Sequence, residues 1–344
     1  MHSIPLTTAT ALGPTFKLVE AEKGNGAVEK VLKGASLNWQ IIENPRLKIR
    51  QQSSIRAITL ASRILGNPVF GLELGQAMRP VDWGLIGRYV ADAPNLGSMM
   101  RRSIRSIKYH QTHGIFAASM KENEVSWSYR LSNSSVEEAH IDHVIATLPN
   151  LVRIYAGDDW KPKRVDVQYP EVAWRRQIED FFDAPVRFGQ DCNAIVFDAE
   201  FLHLRRPQPE NNWPNFTLKD LRQLVVHRPS AKPGYAVLAE IRLALPESDT
   251  TIDRIAFKLG TSKRSLQRSL NQDGTSFREL AARARMLEAI DMVRHTKTSL
   301  TDIAHILGYS DQPNFNRAFQ KWTEMTPGQY RKAFGSTACL SLYD

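Results

Sequence analysis

Hydrophobic residues follow first the spacing of helices and then that of strands along the N-terminal part of the chain. From about Gly26 to Arg105, apolar residues stand three or four positions apart, as on the buried face of a helix. Alternating apolar and polar residues then predict two strands, His113–Met120 and Glu124–Leu131, joined as a hairpin. Helices mixed with antiparallel strands predict an α+β domain. Later segments continue the mixture, with helices at about 136–156 and 174–182 and strands at 165–169, 186–188 and 194–197.

The pattern changes near Ser230, where Ser-Ala-Lys-Pro-Gly interrupts it and beyond which every segment has helical spacing. Such a stretch marks a connection between compact parts, and a chain of 344 residues is long enough for two. We therefore place a domain boundary after residue 232. The predicted organisation is a mobile tail over 1–25, an α+β domain over 26–232, an all-α domain over 233–335 and a C-terminal tail over 336–344.

The all-α domain contains an internal repeat. The sequence Ile-Ala-x-x-Leu-Gly-x-Ser occurs at 255–262 and again at 303–310, an offset of 48 positions. The later parts of the two copies are 49 positions apart, so one residue is inserted after the shared serine. Because Ala permits close helix packing, Gly makes a tight turn and Ser262 or Ser310 caps the next helix, the repeat predicts two helix-turn-helix units. The segment 277–295 has helical spacing throughout and predicts a linker helix between them.

The second helix of each unit carries residue types that read base edges in the major groove. Leu266 and Leu270 define a buried stripe, and Arg268 lies on the opposite side of the helix. A linker helix would hold both second helices for successive major-groove segments, about 34 Å apart. The alternative is that these polar residues only solvate a helix face. We predict DNA contacts from ten residues: Ser262, Lys263, Arg264, Gln267 and Arg268 in the first unit, and Gln312, Asn314, Asn316, Arg317 and Lys321 in the second.

The region from about Tyr235 to Phe334 resembles the DNA-binding domain of the AraC/XylS family of bacterial transcription regulators. Glu324 departs from the family, which has Gly after the Trp-Thr pair, and a residue other than Gly strains that helix end. The second unit carries the resemblance through Ile303-Ala304, Leu307-Gly308-Tyr309-Ser310-Asp311, Phe315-Asn316-Arg317-Ala318-Phe319, Trp322, Thr326-Pro327 and Tyr330-Arg331. The first unit supplies Ala256, Leu259-Gly260, Ser262, Arg264, Leu266-Gln267-Arg268, Leu270, Gly274-Thr275-Ser276-Phe277 and Arg285.

The N-terminal domain is similar to the arabinose-binding-type sensor domain of one branch of this family, in the segments 67–75, 84–87, 93–97 and 193–197. The resemblance implies an activator that binds double-stranded promoter DNA, contacts RNA polymerase and responds to a small-molecule effector, and it allows a homodimer. It does not imply arabinose as the effector.

An effector pocket is expected among the aromatic residues of this domain. The candidates for its lining are Trp39, Trp83, Trp127 and Tyr129, with Arg88 or Arg130 as an anchor for an anionic group. The alternative is that these aromatic residues form plain core. Two alternatives for the function of the whole protein stay open. One is a ligand-independent regulator controlled by dimerisation or a protein partner, and the other is an enzyme with an appended DNA-binding module.

Composition adds limits on location and chemistry. The net charge of +9 is not concentrated in the all-α domain, which holds 15 Lys and Arg against 12 Asp and Glu from residue 233 onward. Apolar runs are too short to cross a bilayer, no signal peptide begins the chain, and two cysteines exclude a disulfide framework, which together predict a cytoplasmic protein. No cysteine accompanies the pairs His110/His113 and His140/His143, and Asp142 is the only carboxylate nearby, so we expect no metal. We also expect no cofactor and no catalytic set.

Overall fold

The computed structural model describes residues 4–131, 137–207, 217–218, 232–245 and 250–334. The chain divides into two compact units. The α+β unit comprises Thr7–Asn38 and Gln51–Pro229. The helical unit comprises Met1–Leu6, Trp39–Arg50 and Ser230–Asp344. The C-terminal tail expected over 336–344, with Cys339, lies outside the described residues, and the domain limits from residue 26 onward stay predictions.

Ordered elements open the chain. β1 (Leu6–Thr8) leads into a 3-10 turn and then into α1 (Thr15–Lys23) and α2 (Asn25–Gly34). The expectation of a mobile tail over 1–25 is therefore wrong for these residues. These residues pack against the rest of the unit because they carry an apolar face. Its members Leu12, Phe16 and Val19 stand three or four positions apart and are all buried.

The next elements alternate between the two units. α3 (Gln40–Glu43) and β2 (Lys48–Arg50) belong to the helical unit. The chain then re-enters the α+β unit with four helices: α4 (Gln51–Leu65), α5 (Phe70–Ala77), α6 (Gly84–Ala91) and α7 (Leu96–His110).

A five-stranded sheet forms the centre of the α+β unit. Its order is β3-β4-β7-β5-β6, and only β5 and β6 run parallel. β3 and β4 form the predicted hairpin, which turns through Glu122 in the left-handed region (φ 55). This mixture of helices and a largely antiparallel sheet confirms the predicted α+β class. The strands are β3 (Gly114–Lys121), β4 (Glu124–Leu131), β5 (Arg164–Asp166), β6 (Val186–Arg187) and β7 (Asn193–Asp198).

The α+β unit also contains two further α-helices, α8 (Glu138–Ala156) and α9 (Arg175–Phe182). α5 packs closely against α8 because Gly71 and Gly75, four positions apart, lie on one face of α5. A side chain at Gly71 would collide with the backbone oxygen of Ala139, and one at Gly75 with that of His143. The two glycines thereby fix the position of α8, whose buried side includes His140 and His143.

The helical unit contains both predicted helix-turn-helix units. Gly260 (φ 64) and Gly308 (φ 78) make the turns in the left-handed region that favours glycine. The buried Ile-Ala and Leu or Phe positions of both copies join one hydrophobic core. The helices are α10 (Pro233–Ala244), α11 (Ile252–Lys258), α12 (Lys263–Gln272), the linker α13 (Phe277–His295), α14 (Leu300–Ile306), α15 (Gln312–Thr323) and α16 (Pro327–Phe334).

The inserted residue of the repeat changes the cap of the second unit. Ser262 caps α12 as predicted, accepting a hydrogen bond from the backbone N–H of Ser265. The prediction that Ser310 caps α15 is wrong, because Asp311 takes that place and accepts from the N–H of Asn314 at 2.7 Å. At the other end of α15, Glu324 is in the left-handed conformation (φ 61) that glycine adopts more readily.

Candidate nucleic-acid interface and ligand cavity

The exposed face of α12 carries most of the residues predicted to contact DNA in the first unit. Leu266 and Leu270 are buried, whereas Arg264, Gln267 and Arg268 are exposed. Lys263 is also exposed and forms an ion pair with Asp253 of α11, with 3.0 Å between Nζ and Oδ2. The hydroxyl of Ser262 caps the N-terminus of α12, a helix end that favours anions.

The corresponding face of α15 is partly organised by its own hydrogen bonds. Asn314 donates to Ser310 and Asp311, and it accepts a hydrogen bond from Arg317. Gln312 accepts from the hydroxyl of Thr301 at 2.8 Å. Arg317 and Lys321 are exposed, whereas Gln312, Asn314 and Asn316 are half-buried. Arg317 is therefore a positioned cation rather than a freely rotating one.

The linker α13 joins the two helix-turn-helix units as a single helix that is fixed at both ends. Its 19 residues correspond to about 28 Å at the helical rise. A capping box closes its start, where Ser276 and Glu279 exchange hydrogen bonds. Near its end, Arg331 of α16 donates to the backbone oxygens of Val293 and Thr298. These contacts hold the two recognition helices, α12 and α15, on a common support.

A cavity of about 80 Å³ lies inside the α+β unit, between α7, α8 and the strands β3 and β4. Of the four aromatic residues that the sequence suggested for a pocket, Trp83, Trp127 and Tyr129 line it. Trp39 does not line it, because it belongs to the helical unit. Arg88 and Arg130 do not line it, so the expected anchor for an anionic group is wrong for this cavity. Most of the remaining wall is aliphatic or aromatic, with Phe116 in ring contact with both Trp127 and Tyr129.

The polar groups of the cavity wall fall into two classes. Some are satisfied by neighbours: Gln111 donates to the hydroxyl of Tyr129 at 3.0 Å, and Thr147 donates to the backbone oxygen of Val144. Others have no hydrogen-bond partner among the described residues, although they are buried. These are Nδ1 and Nε2 of His140, Nδ1 of His143 and Nε1 of Trp127.

Burial keeps the imidazoles of His140 and His143 uncharged. It lowers the pKa of His140 to about 4, and burial together with the neighbouring His140 and His110 lowers the pKa of His143 to about 3. Each neutral imidazole offers one donor and one acceptor. Neither the described carboxylates nor the described Lys and Arg side chains line the cavity, and the described residues contain no group of three ligands that could hold a metal ion.

From the sequence, Asp142 was noted only as a carboxylate near the histidines, and its burial was missed. On α8, Asp142 lies between the two histidines in sequence and accepts a hydrogen bond from the hydroxyl of Tyr169 at 2.5 Å. Burial raises the pKa of Asp142 to about 7, against the opposing effect of the Tyr169 hydrogen bond. A carboxyl inside an otherwise apolar helical stripe was the available signal in the sequence.

Sequence reasoning also missed the segment 39–50, which packs within the helical unit. Arg50 forms an ion pair with the buried Glu240 of α10, with 2.8 Å between Nε and Oε1, and donates to the backbone oxygen of Lys258. Gln40 donates to Glu288 of the linker at 3.1 Å. Burial and the charge of Arg242 lower the pKa of Lys48 to about 7.

Two family models match the chain in the places where these sites lie. Residues 26–205 match the arabinose-binding domain at the N-terminus of AraC transcription regulators. Residues 255–333 match a helix-turn-helix domain. None of the helices within the described ranges is both long enough and apolar enough to cross a membrane.

Several similar proteins are transcription regulators, and two of them match most of both chains. The ornithine utilization regulator of Pseudomonas aeruginosa is 26% identical over 309 residues, covering 87% of this chain and 89% of the relative. The regulator VirS of Mycobacterium tuberculosis is 22% identical, with 83% and 84% of the two chains covered. The urease operon transcriptional activator of Escherichia coli is 33% identical over 86 residues, 25% of this chain and 29% of that one. The solved structure of CdpR from Pseudomonas aeruginosa covers 80% of this chain and 90% of its own, at 21% identity and a TM-score of 0.38.

Proposed function

The chain belongs to the AraC family of transcription regulators, and from this premise we propose that it reads a promoter sequence with α12 and α15 in successive major grooves. The family makes it a DNA-binding regulator rather than an enzyme. One observation supports this proposal: the linker α13 joins two helices with exposed polar faces, which carry Arg268 on α12 and Arg317 on α15. Arg can bond two acceptors of guanine at once, which makes these two residues the best candidates for base contacts.

Substitution of the two arginines tests this proposal. Arg268→Ala and Arg317→Ala should each weaken binding to the cognate promoter fragment by about 1–3 kcal/mol, because each removes a bidentate base contact. Binding to random DNA should weaken less. Fluorescence anisotropy with both DNAs, at one fixed salt concentration, measures the two losses. Arg105→Ala, an equally exposed arginine on α7, is the matched control and should leave both affinities unchanged. Equal losses on both DNAs would assign the two arginines to phosphate contact.

We propose further that the cavity of the α+β unit takes a small-molecule effector and that its occupation changes promoter binding. The match of residues 26–205 to a ligand-binding family supports this, as does the position of Trp83, Trp127 and Tyr129 on the cavity wall. We propose activation of transcription from the likeness to the urease operon transcriptional activator over 86 residues. A contact with RNA polymerase is part of the same proposal. We propose in addition that the protein forms a homodimer and that it acts in the cytoplasm, where promoter DNA lies.

A further inference from the structure

We infer that the effector cavity is built for an uncharged, compact and mainly apolar molecule that carries a single hydroxyl or carbonyl group. The inference rests on the proposed effector function of this cavity.

The wall of the cavity excludes charged and highly hydroxylated molecules. The described carboxylates, Lys and Arg side chains do not line it, so an ammonium or carboxylate placed there would lose its hydration without gaining a partner of opposite charge. A sugar has several hydroxyls that each need a partner when buried. Ser103, Ser106 and Thr147 already donate to backbone oxygens of their own helices, so few donors remain for a polyol.

The volume sets the size of the molecule. About 80 Å³ is several times what one ordered water requires. It is well below the roughly 300 Å³ of sites for drug-sized ligands. The rings of Phe116, Trp127 and Tyr129 supply flat apolar surface along one side. A single ring or a short branched chain therefore fits better than an extended molecule.

The unpaired polar atoms of the cavity wall determine which polar group the bound molecule carries. Buried donors and acceptors almost always have a partner, yet His140 has two unpaired nitrogens and Trp127 an unpaired N–H on this wall. Both side chains are buried, with His140 4% exposed and Trp127 fully enclosed. A hydroxyl can accept from one of these N–H groups and donate to the remaining imidazole nitrogen, and a carbonyl can accept from either. The neutral state of both imidazoles suits an uncharged partner.

Matched probes on the full chain test the class. Benzyl alcohol is the uncharged probe with a hydroxyl, toluene lacks that hydroxyl, benzoate carries a charge on the same ring, and L-arabinose is the polyol. Titration calorimetry and thermal shift should show benzyl alcohol binding about fivefold more tightly than toluene, the value of one net hydrogen bond. Benzoate and L-arabinose should bind at least tenfold more weakly than benzyl alcohol, because their charge or surplus hydroxyls stay unpaired.

Two variants locate the binding. His140→Phe keeps a ring of similar size and removes both nitrogens, so the preference for benzyl alcohol over toluene should disappear while toluene still binds. Val144→Phe adds a ring to the wall and should abolish binding of both probes. The comparison of the four probes on the unaltered protein stands even if a variant does not fold.

The outcomes separate the class of molecule from the effector function. Tighter binding of benzoate or L-arabinose than of benzyl alcohol would overturn the inferred class while leaving effector control intact. Absence of binding by any probe, with ordered water alone in the cavity, would overturn the class as well. Binding of benzyl alcohol at this site, with promoter affinity unchanged at saturation, would uphold the class and defeat the proposed control of DNA binding.

Discussion

A single buried carboxyl gives the α+β unit an unusual dependence on pH. Asp142 is 1% exposed, and its pKa is about 7 in the folded chain instead of its ordinary value near 4. An acid whose pKa is raised by folding binds its proton more tightly in the folded state. Its contribution to stability is therefore largest at low pH and is lost as the pH rises through the folded pKa. The two histidines of α8 act with the opposite sign, because their folded pKa values lie below the unfolded one.

Asp142→Asn isolates this effect, since the amide oxygen can still accept the hydrogen bond from Tyr169. The free energy of unfolding of the variant, relative to the unaltered protein, should rise by about 2 kcal/mol between about pH 5 and pH 7. Urea unfolding at several pH values measures the difference, and the contribution of the histidines cancels in it. Asp180→Asn, which changes an exposed acid on α9, serves as the control. A difference independent of pH would show that Asp142 is ionised throughout this range.

At the scale of elements, the second helix-turn-helix unit depends on a cap that its first copy lacks. Asp311 accepts from the N–H of Asn314, and its carboxylate also accepts from the side chain of Asn314. These hydrogen bonds lower the pKa of Asp311, because they favour its charged form. Asp311→Ala should therefore destabilise the helical unit by about 1 kcal/mol, whereas Ser310→Ala should cost less. Thermal unfolding of both variants tests this, and a larger loss in Ser310→Ala would restore the serine as the cap.

Local elements could be predicted from the sequence, and distant contacts could not. The two helix-turn-helix units follow from stripes such as Leu266 and Leu270, and the hairpin of β3 and β4 from alternation, because both patterns lie within a few residues. The cap at Asp311 was missed because Ser310 occupies the repeated position, although the insertion that shifts the cap was visible. Arg50 and Lys258 are 208 positions apart, and no local pattern indicates that they meet. The ten predicted DNA contacts stay predictions.

At the scale of the whole molecule, the helical unit is assembled from separate parts of the chain. Its segment 39–50 supplies Arg50, which forms an ion pair with Glu240. The side chain of Glu240 is buried, with 2% exposed, so loss of Arg50 removes a cation that compensates its charge. A DNA-binding fragment that begins at residue 233 lacks Arg50. Such a fragment is therefore expected to be less stable than the same residues in the full chain.

Substitutions in the full chain measure what this ion pair contributes. Arg50→Ala should destabilise the protein by about 2–3 kcal/mol, because removing one partner leaves a buried charge. Adding Glu240→Gln should recover most of that loss, because the remaining group is then neutral. Arg56→Ala, an exposed arginine at the start of α4, is the matched control and should change little. Failure of the second substitution to recover stability would show that Arg50 acts through its bond to Lys258 instead.

The close packing of α5 against α8 affects how fast a molecule enters and leaves the cavity. Gly71 and Gly75 leave no room for movement of α8 towards α5, so a molecule cannot reach the cavity from that side. The half-buried residues of the wall are Trp83, Ile86, Ile107, Phe116 and Val144. Entry and escape then depend on how often these five side chains change rotamer. Substituting them would alter how long a bound molecule stays, and so how quickly transcription resets once its supply ends, without changing the fold that selects it.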